Sequence, residues 1–293
     1  MHLNLKPLHP LFAAEATGVD LRTPPTPELS AAIHEAMNRY AVLVLPGQAI
    51  DDEEQLRFAA SLGKLEPMPA QVELEKQRLK HREMVDISNL DTDGSILKAD
   101  DRRRMFNLGN QLWHTDSSFK RTPAMFSMLH ARSIPPAGGE TEFADMHAAW
   151  DELPEATKAL VEPLVCEHSL LYSRALLGFE DWTEEDRKAF APVPQRLVRR
   201  HPGSGRKSLY LASHIGAIRG WPRPEALMLV RELMEHATQP RFVYRHKWRV
   251  NDLVIWDNRC TMHRGRPYDD KRYERDMRRA TTEDVGPTLE QPA

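Results

Sequence analysis

The run Ala124-Met125-Phe126-Ser127-Met128-Leu129-His130-Ala131, the cluster Pro135-Pro136-Ala137-Gly138-Gly139 and the run Glu140-Thr141-Glu142-Phe143-Ala144-Asp145 read together as two strands broken by a turn. Further strands fall outward from this unit. Ala41-Val42-Leu43-Val44-Leu45 ends at a Pro46-Gly47 turn, Leu209-Tyr210-Leu211 and Arg241-Phe242-Val243-Tyr244 are short extended segments, and Asp252-Leu253-Val254-Ile255-Trp256 is a buried β run. Helical spacing marks 28–39 and 225–238, the acids Asp51 to Glu54 open a helix through Ala60, and a helix is expected from His147 to Val161. Strands without a βαβ rhythm, flanked by a few helices, predict a mainly β fold with peripheral helices around a double-stranded β-helix, the cupin-like jelly roll. No repeat or linker divides residues 1–293, which are expected to form one catalytic domain with a loose tail at about 285–293. The polar stretch from Glu73 to Arg104 lacks clear periodicity and, with its mixed charge, reads as a mobile loop.

Chemistry concentrates in Trp113-His114-Thr115-Asp116 and in the continuation of the 252–256 run through Cys260 and Met262 to His263. In extended chain, residues i and i+2 share a face, so His114 and Asp116 can meet one ion if 110–113 is a strand leading in. His263 on another strand completes two imidazoles and a carboxylate, the facial set that holds non-haem Fe(II) with positions left open. After it, Arg275 and Arg279 stand four apart, on one face of a strand, and each guanidinium fork suits a carboxylate.

The segments Leu112 to Asp116, Gly138 to Met146, Trp256-Asp257-Asn258-Arg259 and the arginines after His263 resemble the taurine dioxygenase family of Fe(II)/2-oxoglutarate-dependent oxygenases. Pro7 to Ala14, His201 to Lys207 and His236 to His246 are similar to its branch that cleaves 2,4-dichlorophenoxyacetate, so the resemblance runs from about residue 7 to about 284. It implies His114, Asp116 and His263 as iron ligands, Thr141 and Arg275 as contacts to 2-oxoglutarate, and Arg279 facing the carboxylate of the primary substrate. Fe(II), 2-oxoglutarate and O2 are the implied cofactor and cosubstrates. An aryloxyacetate would be hydroxylated beside its ether oxygen and fall to a phenol and glyoxylate. A taurine or alkylsulfonate dioxygenase and a 2-aryloxypropionate dioxygenase are readings on the same scaffold; a Zn hydrolase and a non-catalytic acid-binding barrel are the readings outside it.

Composition sets outer bounds. A chain of 293 residues with 41% hydrophobic content can bury a substantial core, and a net charge of −3 lacks the basic excess of a nucleic-acid binder. The arginine runs at 102–104 and 196–200 read as solvated surface. Without a signal peptide or long apolar stretch the protein is expected to be cytoplasmic and away from membranes, and the resemblance implies a small carboxylate substrate, a homo-oligomer, and a loop or lid over the site from residues 73–104. Cys166 and Cys260 are too few for a disulfide framework, and Cys260 reads as a packed thiol rather than a ligand. His9, His168, His201, His214 and His246 read as hydrogen-bonded or surface histidines, and Met125, Phe126 and Met128 as core.

Overall fold

The structure is a computed structural model that describes residues 3–68 and 77–292. In chain order the elements are β1 (Asn4–Pro7), β2 (Ala14–Thr17), α1 (Pro27–Tyr40), β3 (Val42–Leu45), α2 (Asp52–Ala60), β4 (Met84–Asp86), α3 (Arg102–Asn107), β5 (Ala124–Ser133), β6 (Thr141–Asp145), α4 (Met146–Asp151), α5 (Glu155–Val161), β7 (Val165–His168), α6 (Leu170–Ala175), α7 (Glu184–Ala189), β8 (Val193–Arg196), β9 (Val198–Arg200), β10 (Lys207–Leu209), β11 (Ile215–Ile218), α8 (Arg223–Ala237), β12 (Val243–His246), β13 (Leu253–Asp257), β14 (Thr261–Gly265) and β15 (Asp276–Glu283).

Local chemistry fixes the helix ends. Thr26 accepts the Leu29 N–H at the start of α1, and Ala41 closes that helix in the left-handed region at φ 57°. Asp51 and Glu54 form a reciprocal capping box on α2, where three acids meet the positive end of the helix. The helix expected over 147–161 is two, because Pro154 lacks the N–H that would carry α4 into α5.

Among the described residues the strands form a seven-stranded sheet, ordered β1-β2-β3-β13-β5-β15-β4, and a three-stranded sheet ordered β12-β6-β14. Side-chain alternation then makes a sandwich. On β3, β5 and β13, Leu43, Leu45, Phe126, Met128, Leu253 and Ile255 face α1 and α2 in one core cluster. Val42, Val44, Leu129, Ala131, Val254 and Trp256 face the other way, against Phe143 of β6, in the jelly-roll interior. The opposite face of the small sheet, through Ala144 and Met262, packs with α4, α8 and the β11-β7-β8 sheet into a third cluster. His263 follows Met262, so it must point inward.

Three further expectations are corrected. Residues 108–111 form a 3-10 turn, not a strand, and His114 joins the sheets through a single antiparallel bridge to His263. The segment 285–292, expected to be loose, folds back: Thr288 is buried, its hydroxyl donating to Gln195 at 2.6 Å while accepting the Arg196 N–H. Arg199 is not surface, since its side chain is 3% exposed and paired with the wholly buried Asp284. Residues 77–104 pack over the sandwich: β4 adds an edge to the large sheet, and Arg78 holds Asp86 at 2.8 Å and Asp276 at 2.7 Å. Residues 73–76 of the expected lid lie outside the described residues. No described helix is long and apolar enough to cross a membrane.

Candidate metal centre and its cavity

His114 and His263 face each other through paired backbone hydrogen bonds of 3.0 and 2.8 Å, which bring their ring centroids to 4.2 Å. Thr115 turns away and donates its hydroxyl to the Leu211 carbonyl at 2.9 Å, so His114 and Asp116 share the inward side. One ligand atom from each of His114, Asp116 and His263 lies within 4.8 Å of the other two, and all three residues are buried. The His114 Nδ1 contacts the Leu112 carbonyl at 2.7 Å; with the proton there, Nε2 presents its lone pair toward Asp116 Oδ1, 3.8 Å away. His263 Nε2 stands 3.7 Å from Asp116 Oδ2.

Burial pushes both imidazoles below their usual pKa, most strongly for His263, so they stay neutral as metal binding requires. Burial alone would raise the Asp116 carboxyl, but the Arg279 guanidinium, with the Ser127 hydroxyl, outweighs it and holds the group below the carboxylate range. Asp116 is also held by neighbours: Ser127 donates to Oδ2 at 2.7 Å, and the Asn258 side chain accepts its backbone N–H at 3.1 Å.

Asn258 explains much of the motif in which it sits. Its amide oxygen also accepts from Trp256 Nε1 and its nitrogen donates to Ser127, so one side chain ties the Asp116 backbone to two strands. A second buried group, His201, Asp257 and Cys260, has donor atoms at similar spacing. Its carboxylate is already spent. Arg259 donates to both Asp257 oxygens and His201 Nε2 lies 2.9 Å from one, so a cation there would meet a guanidinium. That set braces the turn between β13 and β14.

A cavity of about 880 Å³, counting its open mouth, lies between the two sheets, with His114 and His263 in its wall. Thr141, Arg275 and Arg279 line it as well, so the cavity brings the remaining sequence-predicted site residues together beside the triad. The Arg275 side chain is buried, contacts the Gly139 carbonyl at 3.5 Å and has no carboxylate partner among the described residues; burial lowers its pKa. Thr141 accepts the Trp248 indole N–H at 3.0 Å, which leaves its own hydroxyl proton free for an oxygen in the cavity. Arg279 donates from Nη1 to Asp116 Oδ1 at 2.5 Å, so its guanidinium reaches the candidate metal ligand itself.

The cavity roof comes from Ile87, Asn89 and Leu97, with Arg104 at its rim. Arg104 is correspondingly no solvated charge: its side chain is 16% exposed and pairs with Asp270 at 2.9 Å. Asn89 donates to the Asp270 and Tyr273 carbonyls and accepts the Arg275 N–H at 2.8 Å. Sequence reading missed Ser127, Trp248 and Asn89 because each acts through a partner remote in the chain.

The family model described as taurine catabolism dioxygenase TauD, TfdA family, matches residues 4–281. The chain belongs to this family. As a TauD/TfdA protein it is 46% identical, over 96% of its length and 95% of the relative, to an alpha-ketoglutarate-dependent 2,4-dichlorophenoxyacetate dioxygenase of Burkholderia sp. (strain RASC). It is 47% identical, over 97% of its length and 99% of the relative, to the protein of the same description from Cupriavidus pinatubonensis. The crystal structure of AAD-2 in complex with Mn(II) and N-oxalylglycine superposes with a TM-score of 0.91 at 50% identity, covering 99% of this chain and all of that one.

This TauD/TfdA chain is therefore an oxidoreductase, a 2-oxoglutarate-dependent dioxygenase that uses Fe(II) and O2 on a small-molecule substrate, and its core is the family jelly roll. Its residues fit those groups. Two neutral imidazoles and one ionised carboxylate suit Fe(II), and the buried Arg275, which has no carboxylate partner among the described residues, suits the far end of a dicarboxylate beside the Thr141 hydroxyl.

Proposed function

We propose that this enzyme hydroxylates the ether-adjacent carbon of an aryloxyacetate such as 2,4-dichlorophenoxyacetate. One oxygen atom enters that C–H bond, the hemiacetal collapses to phenol and glyoxylate, and 2-oxoglutarate leaves as succinate and carbon dioxide. The observation that carries the reading is the placement of two guanidiniums, Arg275 and Arg279, in one cavity wall beside the His114-Asp116-His263 set. Near full-length relatives that act on this substrate by name support it.

In this reading His114, Asp116 and His263 hold the iron, which when bound supplies the activation of O2. Arg275 neutralises the distal carboxylate of 2-oxoglutarate and Thr141 donates to it, fixing the cosubstrate end to end. Arg279 takes the substrate carboxylate and so sets which carbon faces the metal. Leu129, Leu97 and Ile87 line the same space with apolar surface that suits an aryl ring and excludes water. The whole chain acts as one catalytic unit. The reading also expects a cytoplasmic homo-oligomer without a nucleic-acid partner.

Anaerobic loading with Fe(II) and 2-oxoglutarate, followed by O2 and either 2,4-dichlorophenoxyacetate or taurine, tests the reading. Phenol and glyoxylate formed in step with succinate are expected. Sulfite from taurine would move the enzyme to sulfonates, and absence of succinate would overturn the reaction type.

A further inference from the structure

Arg174, on α6, is a buried cation that the reaction described so far leaves unused. Its side chain is 5% exposed, yet no carboxylate among the described residues pairs with it. Nη1 donates to Ser173 Oγ at 3.2 Å, the guanidinium carbon lies 4.3 Å over the Phe106 ring, and Nε has no partner. Burial and a second cation, Arg279, lower its pKa to about 10. Arg279 itself has a buried Nε without a partner.

Isolated charge in a protein interior is costly, by several kcal/mol for a single ion. Arg174 carries that cost uncompensated, whereas Arg279 is paired with Asp116 through Nη1 and keeps only its Nε without a partner; the two cations feel each other on the His114 side of the metal centre, and an anion between them would neutralise Arg174 and satisfy Arg279 Nε. The backbone is shaped for this approach. Gly109 sits between the cavity-lining Leu108 and Asn110, and a Cβ there would come within 2.2 Å of Arg174 Nη1. Arg275 is separate, at the Thr141 end of the cavity.

We infer that Arg174 joins Arg279 in a two-arginine seat for the carboxylate of the primary substrate, reached past Gly109, and that this seat gives the enzyme its preference for acids. The inference rests on the aryloxyacetate reading and deepens it. Ser173 positions the seat, since its hydroxyl accepts from Arg174 and also lies 2.9 Å from His214 Nδ1, whose ring stands edge-on to His114.

Equilibrium binding tests it without turnover, using protein loaded with Mn(II) and N-oxalylglycine and titrated with 2,4-dichlorophenoxyacetate or its uncharged amide. The unsubstituted protein is expected to bind the acid at least about tenfold more tightly than the amide. Arg174→Gln is expected to weaken the acid about ten- to a hundredfold and leave the amide and N-oxalylglycine nearly unchanged, with Arg174→Lys in between. Gly109→Ala displaces the guanidinium without removing it, keeps a permitted backbone, and is expected to act in the same direction. In the unsubstituted protein, the 15N resonance of Arg174 Nε should shift with the acid and stay with the amide, a readout that needs no variant to fold.

Acid preference retained in both variants would overturn the inference and leave the function reading intact. Parallel loss of acid and amide would assign Arg174 to packing, and loss of N-oxalylglycine affinity would assign the anion to the cosubstrate; either result overturns it. Failure of the unsubstituted protein to bind the acid would overturn the function reading and this inference together.

Discussion

Two arginines four residues apart line one cavity, and the roles proposed for them are expected to separate in kinetics. Arg275→Ala is expected to raise the 2-oxoglutarate concentration needed for half-maximal rate by about ten- to a hundredfold, because it removes a charged hydrogen-bond donor from a buried site. Arg279→Ala should act mainly on the aryloxyacetate. Separate saturation curves for the two compounds check this, and equal loss of both affinities in both variants would refute the division. Ser127→Ala removes the hydroxyl that orients Asp116 Oδ2, and a titration should find Fe(II) held about ten- to a hundredfold less tightly in a folded protein. The clustering of the three residues proposed to hold the metal was legible in the sequence because alternation places His114 and Asp116 on one side, and because His263 sits at an inward parity on its strand. Ser127 was not: in sequence it is one more residue of a β run, and only the register between β5 and β13 sets it beside Asn258.

At the level of elements, the strands with buried faces were readable, and the connections were not. Continuous apolar runs such as 42–45 and 253–256 have both faces covered, which is a pattern of burial that sequence carries directly. The 3-10 turn at 108–111 depends on how His114 bridges to β14, and the split between α4 and α5 depends on one proline. Arg199 was misread for a related reason, since its counter-ion Asp284 arrives from the far end of the chain. The Gly138-Gly139 turn is a case where structure and sequence agree on cause. Gly138 has φ +77° and a Cβ there would lie 2.6 Å from the Pro267 carbonyl oxygen. Gly138→Ala is expected to cost about 1–3 kcal/mol and to lower the melting temperature by several degrees, with weakened 2-oxoglutarate binding because Thr141 follows in the chain. An unchanged melting temperature would show that the loop relaxes freely.

For the molecule as a whole, acid is the stress to which the sandwich is built to respond. His130 and His147 are buried and held down to about 4, and His168 to about 3, in each case by burial. The unfolded chain takes up protons near 6.5 while the folded one does not, so this stability is present above 6.5 and is lost as pH falls toward 4, at about 1.4 kcal/mol per pH unit for each ring. Melting temperatures recorded from pH 8 to pH 4 should fall steeply below 6.5, and a flat profile would contradict the burial of these rings. A last consequence comes from Asn89. One face of its amide holds the loop at Asp270 and Tyr273, and the other accepts the Arg275 N–H, so the roof of the cavity and the residue proposed to hold 2-oxoglutarate move as one body. Linkage makes such coupling reciprocal. A dicarboxylate on Arg275 should slow amide hydrogen exchange in residues 87–97, some 180 positions away in sequence, and Asn89→Ala should uncouple the two, letting the roof exchange at one rate whether the cavity is full or empty.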